Sequence, residues 1–258
     1  MLNINGMHSL EQRIALVTGA SSGLGEHFSK ILAAAGATVV VCARRADRLS
    51  QLADSITQTG GKAIAMPMDV TSEQSVQETL AQAEKDVGVL SVLINNAGIA
   101  DARTFLKTDE QSWRNTLDVN LDGAWRVAHA ATAHMVRHEQ AGCVVNIASI
   151  LGLRVGFGTS AYAVSKAAVV QMTKAMALEL GPKGIRVNAL CPGYIETEIN
   201  SDYFATEAGQ AYIKTTPAGR TGTLDELTGP LLLLCSDAGS FINGVALPVD
   251  GGHLISSL

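Results

Sequence analysis

Tyr162 and Lys166 stand four residues apart in Tyr162-Ala163-Val164-Ser165-Lys166, inside an alanine-rich stretch without internal proline. Such a stretch favours a helix, and residues four apart on a helix share one face, so the phenol and the ammonium can reach a single site. A tyrosine near its reference pKa of about 10 is a reluctant base at neutral pH, and a neighbouring ammonium favours its phenolate. The pair is therefore suited to moving a proton at a substrate oxygen. Alone, the spacing is weak evidence, because a helix-face hydrogen bonder and a solvated charge produce the same pattern. Ser149, thirteen residues before Tyr162, and Asn120 further upstream make the combination specific.

A second constellation lies near the N-terminus, in Thr18-Gly19-Ala20-Ser21-Ser22-Gly23-Leu24-Gly25. It follows a β-branched run and opens an amphipathic one, the place where a tight turn exposes backbone N–H groups to a pyrophosphate. Three glycines can also merely shape a loop, and the strand before and helix after are what favour a nucleotide. No Gly-Lys-Ser/Thr follows, so this is not a P-loop. At the end of the next strand the chain reads Cys42-Ala43-Arg44-Arg45, without the carboxylate that would bond the ribose hydroxyls of NAD. Arg44 and Arg45 can instead form charge-assisted bonds to a 2'-phosphate, so NADP(H) is expected over NAD(H), which stays possible. The plain alternative is a solvated start to the following helix.

Strands are predicted over 14–18, 38–42, 63–66, 92–95, 143–148, 185–190 and 245–249, and helices over 25–35, 47–58, 72–86, 123–138, 160–180 and 224–235. This alternation predicts an α/β fold, a single Rossmann-type doubly wound domain over 1–258, whose seven-stranded parallel sheet carries helices on both faces. Ligands should gather beyond the C-terminal ends of its strands. No linker, low-complexity tract or internal repeat interrupts the chain.

The glycine spacing T-G-x-x-x-G-x-G resembles that of the classical short-chain dehydrogenase/reductase family. The likeness recurs in order at Asn95-Asn96-Ala97-Gly98, Asn120, Ser149, Tyr162-Ala163-Val164-Ser165-Lys166 and Pro192-Gly193, and so spans nearly the whole chain. The resemblance implies an oxidoreductase in which hydride passes between a nicotinamide and a ketone or secondary alcohol while Tyr162 moves the proton. It implies that Ser149 holds the substrate oxygen, that Lys166 holds the nicotinamide ribose and that Asn120 continues a proton relay through water. It places Gly19, Ser21, Ser22, Gly23, Leu24 and Gly25 on the pyrophosphate side and Asp69 and Val70 at the adenine. Asn96, Ala97 and Gly98 fall along the ribose, and Pro192, Gly193, Ile195 and Thr197 at the nicotinamide. Asn95 would brace the sheet. Asp69 and Thr197 could otherwise be ordinary helix caps.

Substrate choice should fall to largely apolar loops over 99–105, 150–157 and 194–216, the last reading as a lid that carries Tyr203, Phe204 and Tyr212. The segment Tyr194-Ile195-Glu196-Thr197-Glu198 and the turn Pro217-Ala218-Gly219-Arg220 resemble both 3-oxoacyl reductases and sugar-acid dehydrogenases, so a 3-oxoacyl thioester and a sugar acid or polyol both stay open. Arg154 is a candidate anchor for an acidic or phosphate-bearing substrate, although an isolated arginine in a loop is more often solvated or structurally paired. From another class, a non-catalytic dinucleotide-binding redox sensor is opposed by the complete Asn120, Ser149, Tyr162 and Lys166 set. A methyltransferase leaves those four residues without purpose.

A net charge of −5, from 19 basic and 24 acidic residues, supplies no patch for nucleic acid. The first thirteen residues have no basic cluster followed by an apolar core, and no apolar run approaches the roughly 20 residues that span a bilayer, so a cytoplasmic protein without a membrane partner is expected. Cys42, Cys143, Cys191 and Cys235 form no C-x-x-C pair and read as buried thiols. His129, His134 and His138 share a helix, but no Asp, Glu or Cys stands near them at ligand spacing in the sequence, so no metal is expected. The resemblance further implies a homotetramer formed through the helices 123–138 and 160–180.

Overall fold

Seven short runs rich in valine, isoleucine and alanine form the strands β1 (Ile14–Thr18), β2 (Thr38–Ala43), β3 (Lys62–Pro67), β4 (Val92–Asn95), β5 (Gly142–Ile147), β6 (Ile185–Pro192) and β7 (Ala246–Val249) in the computed structural model. The structure describes residues 5–196, 204, 206–214 and 216–255. All seven strands pair in parallel, in the order β3-β2-β1-β4-β5-β6-β7. The chain winds outward from β1 to β3 and then returns to lay β4 on the other side of β1. Between β1 and β4 the crossovers diverge, which opens a crevice at the C-terminal ends of the strands.

Helices α1 (Gly23–Ala34), α2 (Ala46–Gln58), α3 (Glu73–Val87), α4 (Glu110–Leu117), α5 (Gly123–Arg137), α6 (Ser160–Leu180), α7 (Glu207–Ile213) and α8 (Thr228–Cys235) make the connections. Because strand side chains alternate in direction, the sheet feeds apolar cores on both faces. Ala15, Val17, Val39, Val41, Val145 and Ile147 pack with Phe28 and Leu32 of α1, Leu49 and Ile56 of α2, and Leu231 and Leu234 of α8. Their neighbours Leu16, Val40, Leu93 and Val144 face the other way, onto Val76 and Leu80 of α3 and Val127, Ala131 and Met135 of α5.

Three local features differ from the sequence expectation. The stretch 224–235 is not one helix: a 3-10 turn at Leu224–Leu227 precedes α8, whose first turn carries Pro230, where the missing N–H costs no helical bond. Helix α4, absent from the predicted elements, has few buried residues and starts on the Asp109 side chain, which accepts from the Ser112 amide at 2.7 Å. Between α4 and α5 the backbone widens into a π-helical turn, Asp118–Asp122, with Asn120 buried inside it.

A buried polar chain ties this architecture together. Asn95 Nδ2 donates to the Ala124 carbonyl at 2.7 Å and to Asn146 Oδ1 at 3.2 Å, Asn146 Nδ2 donates to Thr173 Oγ1 at 2.9 Å, and Thr173 Oγ1 donates to the Val169 carbonyl at 2.8 Å. It links β4 and β5 to α5 and α6, the support expected of Asn95. Asn146→Ala removes the middle of the chain and strands polar groups on both sides. We expect a loss of about 1–3 kcal/mol, read as a lower urea midpoint at unchanged slope.

Candidate active site

Loops at the C-terminal ends of four strands form the floor of the crevice. After β1, the glycine loop turns into α1. Ser22 is the N-cap in extended conformation and its side chain makes no cap bond, so the first-turn amides of α1 are directed at the crevice. Gly23 has φ +55° and open space where a side chain would project, a cradle that a ligand's phosphates can approach at backbone distance. Gly25 is needed for the loop itself, since a Cβ there would stand 2.3 Å from the Gly19 carbonyl oxygen. After β4, Asn96 Nδ2 donates to the Thr18 carbonyl at 2.9 Å, and the amides of Asn96 and Ala97 both donate to Thr18 Oγ1 at 3.0 Å, stitching the two loops together.

Arg44 and Arg45 part company. Arg45 donates to Ser21 Oγ at 2.8 Å, Ser22 Oγ at 2.9 Å and the Ser21 carbonyl at 3.3 Å, so it braces the glycine loop from outside. Arg44 is exposed on the rim of a cavity of about 240 Å³ whose other walls include Asp69 and Val70. Asp69 is not the cap of α3. That cap is Ser72, whose side chain accepts from the Ser75 amide, while Asp69 Oδ1 accepts from the Thr71 amide at 3.0 Å and the Thr71 hydroxyl at 2.8 Å. These bonds, with Arg44 and Arg126 nearby, hold its carboxyl below the usual range.

This cavity shares Gly19, Ser22, Gly98 and Ile99 with a groove of about 560 Å³ that reaches Ser149, Tyr162, Lys166, Pro192, Gly193 and Ile195. The glycine loop, the Asn96-Ala97-Gly98 turn and the Pro192-Gly193 bend thus line one continuous channel. Asn120 lies beneath it, and Thr197 falls outside the described residues. A cavity of similar size, about 590 Å³, beside Arg13, Cys143 and Arg186 sits at the opposite ends of the strands, away from these residues.

Ser149 follows β5 and caps a 3-10 turn, accepting from the Leu151 amide at 3.1 Å. Tyr162 and Lys166 project from the first turns of α6, with Lys166 Nζ 5.7 Å from the centre of the tyrosine ring. Lys166 is buried and donates to the Ile147 carbonyl at 2.7 Å. A Cβ on Gly98 would stand 3.2 Å from Asn120 Oδ1 and 3.5 Å from Lys166 Nζ, so that glycine leaves room for both. Asn120 accepts from the Ile99 amide at 2.7 Å and donates to the Ile99 carbonyl at 2.9 Å and to Ser165 Oγ at 3.1 Å. Ser165 in turn donates to the Tyr162 carbonyl at 2.7 Å. Sequence reasoning missed the part of Ser165 and Ile147, although Ser165 stands inside the Tyr-to-Lys segment.

The electrostatics differ from the expectation that Lys166 lowers the tyrosine. Among the chain's own groups burial dominates: it raises the Tyr162 phenol, against an opposing hydrogen bond from Ser149. Burial also lowers Lys166 to about 8 and raises the neighbouring Cys191 thiol to about 11. The site therefore holds a protonated phenol beside an amine that sheds its proton near neutrality, a pair set to deliver a proton to an oxygen in the groove.

Arg154 takes the structural pairing expected of it more often than anchoring, and the reading of the helix histidines changes. Half-buried Arg154 donates to the His253 carbonyl at 2.7 Å and so holds the C-terminal segment. His253 also packs against Tyr194 at 5.3 Å, and Tyr194 meets the buried ring of Phe204 edge-on at 5.7 Å. Of the expected lid, Tyr203 and the side chain of Tyr212 lie outside what is described. Two of the three helix histidines do have an acid beside them: Glu84 of α3 lies against His134 and His138, an approach between helices that spacing along one helix cannot reveal.

A doubly wound parallel sheet with an open glycine loop at an uncapped helix start and a Ser149, Tyr162 and Lys166 cluster at its switch point is the framework of a dinucleotide-dependent oxidoreductase. A family model described as enoyl-(acyl carrier protein) reductase matches residues 19–253. The chain is similar to the 5-keto-D-gluconate 5-reductase of Escherichia coli (strain K12), 36% identical over 255 residues that cover 98% of this chain and 100% of that protein. It is also similar to the 3-oxoacyl-(acyl-carrier-protein) reductase of Aquifex aeolicus (strain VF5), 34% identical over 244 residues, 94% of this chain and 98% of that one. A crystal structure of a gluconate 5-dehydrogenase from Burkholderia cenocepacia J2315 in complex with NADP and tartrate superposes with a TM-score of 0.94 at 35% identity, covering 98% of this chain and 99% of that one. The chain belongs to the short-chain dehydrogenase/reductase family and is an oxidoreductase acting on CH–OH and C=O groups. Among the described residues, no helix is long and apolar enough to cross a membrane.

The buried amine offers a direct check. In protein labelled at the lysine ε-carbons, one NMR resonance should titrate near pH 8 and vanish in Lys166→Arg. All lysines titrating near their ordinary value would contradict the burial argument. Because the folded pKa is depressed, the unfolded chain keeps this proton longer, and the contribution of Lys166 to stability rises with pH between about 8 and 10.5.

Proposed function

We propose that this protein is an NADP(H)-dependent reductase and dehydrogenase that interconverts a ketone and a secondary alcohol on a small polar substrate, with keto sugar acids or polyols as the favoured class. The observation that carries the reaction type is the convergence of Ser149, Tyr162 and Lys166 on the groove that runs from the glycine loop. The loop fits a pyrophosphate by its capless helix start and open Gly23, and exposed Arg44 suits a 2'-phosphate. When bound, the nicotinamide supplies or accepts the hydride.

The chain's own groups do the rest. Ser149 orients the substrate oxygen by hydrogen bonding. Tyr162, kept protonated by burial, gives its proton to that oxygen during reduction and takes it back during oxidation. Lys166, anchored on Ile147, holds the ribose and favours the phenolate once the proton has left. Asn120 acts through its two bonds to Ile99 and its bond to Ser165, which set the start of α6, and continues the proton path beyond Lys166. Asp69 and Val70 take the adenine end, while Asn96, Ala97 and Gly98 follow the ribose. Pro192, Gly193 and Ile195 take the nicotinamide end.

The sugar-acid class is supported by the Escherichia coli relative and by the Burkholderia cenocepacia structure, a complex that includes tartrate. The 3-oxoacyl thioester is a second reading, supported by the Aquifex aeolicus relative and by exposed Phe105, Leu106, Val155 and Phe157 around the loops that border the site. Trp125 on α5 and Val164 on α6 are exposed as well, and they support a homotetramer that covers these two helices.

Fluorescence titration should show NADPH binding more tightly than NADH. Arg44→Asp should weaken NADPH by at least about tenfold and narrow or reverse the preference. Equal affinities in both proteins would remove Arg44 from selectivity. Screening with NADPH should find turnover of 5-keto sugar acids well above that of 3-oxoacyl thioesters; the opposite ranking would select the second reading. Sedimentation equilibrium should give four times the chain mass, and Trp125→Glu should shift it towards smaller species.

A further inference from the structure

Away from the catalytic groove, α3 and α5 bring Glu84, His134 and His138 together. His134 Nδ1 lies 3.5 Å from Glu84 Oε2, and His138 Nε2 lies 3.0 Å from Glu84 Oε1. The imidazole rings are 4.8 Å apart, tilted by 48°. One donor atom from each of the three residues falls within 4.8 Å of the others. Among the described residues this is the only group of three His, Cys, Asp or Glu side chains close enough to hold an ion.

We propose that Glu84, His134 and His138 form a zinc site that clips α3 to α5, independent of catalysis. The ligand set is chemically suitable: two imidazole nitrogens and a carboxylate oxygen, leaving a fourth, solvent-side position for water. In a tetrahedral zinc site with bonds of about 2.0–2.1 Å, donor atoms are separated by roughly 3.3–3.4 Å. The two acid–imidazole separations, 3.5 Å and 3.0 Å to different oxygens of Glu84, lie on either side of that spacing, and one donor atom from each residue falls within 4.8 Å of the others, so the ligands would draw in by about an ångström around the ion. Residues four apart on a helix place two histidines over one face, and the carboxylate arrives from the neighbouring helix, so an ion would bridge two elements that otherwise meet through side-chain packing.

The burial gradient also suits a half-open site. The side chain of His134 is 7% exposed, while those of His138 and Glu84 are 33% and 37% exposed, so one ligand is fixed in the interior and the ion enters from outside. His129, on the same helix, stacks on Trp125 at 5.2 Å and takes no part. Parallel βαβ winding puts the C-terminal ends of α3 and α5 at the N-terminal edge of the sheet, opposite the groove. His134 lies about 16 Å along α5 from Gly123, just beyond the turn that holds Asn120.

Protein stripped with a chelator and dialysed is titrated with zinc chloride by calorimetry at neutral pH, where imidazoles are available as ligands. The expected result is one zinc per chain, a rise in Tm of roughly 5 °C at saturation, and a tetrahedral visible spectrum when cobalt(II) replaces zinc. Glu84→Gln and His138→Ala, both at partly exposed positions, should each weaken zinc by at least about tenfold, while His129→Ala leaves affinity unchanged. Turnover of the chelated protein and of His138→Ala should match that of the wild type. Zinc held equally by the wild type and the Glu84→Gln, His138→Ala double variant, or no zinc binding by the wild type, would overturn the proposal. Neither result bears on the carbonyl chemistry.

Discussion

An ammonium group is costly to bury, and Lys166 is buried at the place where the sheet opens. What makes that tolerable is the Ile147 carbonyl, which accepts its proton at 2.7 Å, while burial lowers its pKa to about 8. Much of the surrounding structure serves this one side chain. Gly98 leaves space for Nζ, and Asn120, held in its π turn, fixes Ile99 on one side and Ser165 on the other. Ser165 then bonds the Tyr162 carbonyl, so the first turn of α6 is positioned by side chains as well as by its own ladder. The same burial raises Tyr162. The polypeptide thus supplies a proton donor, and the proposed chemistry uses it in the reductive direction.

The other half of the site follows from an end effect. A helix start has amides with no partner, and α1 leaves them unanswered where many helices would use the cap side chain. Ser21 and Ser22 are instead occupied by Arg45. That division of labour leaves Arg44 on the rim, near Asp69, as the basic group for a second phosphate in the proposed reading. In that reading, loop geometry and cofactor selectivity rest on adjacent arginines with different tasks.

The strands were legible in the sequence because most are short runs rich in β-branched residues and buried on both faces, with the edge strands β3 and β7 more exposed, and the observed ends differ from expectation by only a few residues. The Tyr162 and Lys166 pair was legible because a helix converts a spacing of four into proximity. What stayed hidden depends on contacts between distant segments. The spacing around Arg45 contains nothing that announces Ser21 and Ser22 as its partners. Glu84 reaches His134 and His138 across a helix seam, and the π turn at Asn120 has a sequence compatible with ordinary helix. The sign of the Tyr162 shift was likewise invisible, because the ammonium was apparent in the sequence while the depth of burial that outweighs it was not. Helix α4 is short and mostly polar, with Trp113 and Leu117 as its large apolar residues, too few to announce a helix.

The most direct test of the account is turnover of Tyr162→Phe on a ketone the wild type reduces, with NADPH affinity measured on both proteins. Loss of the phenol's proton alone should lower kcat by at least about a hundredfold while cofactor affinity stays within a few-fold, since ring packing is kept and general acid catalysis is removed. Turnover near the wild-type rate would contradict the assignment of Tyr162 as the proton donor, and with it the reading of the buried Lys166 as its partner.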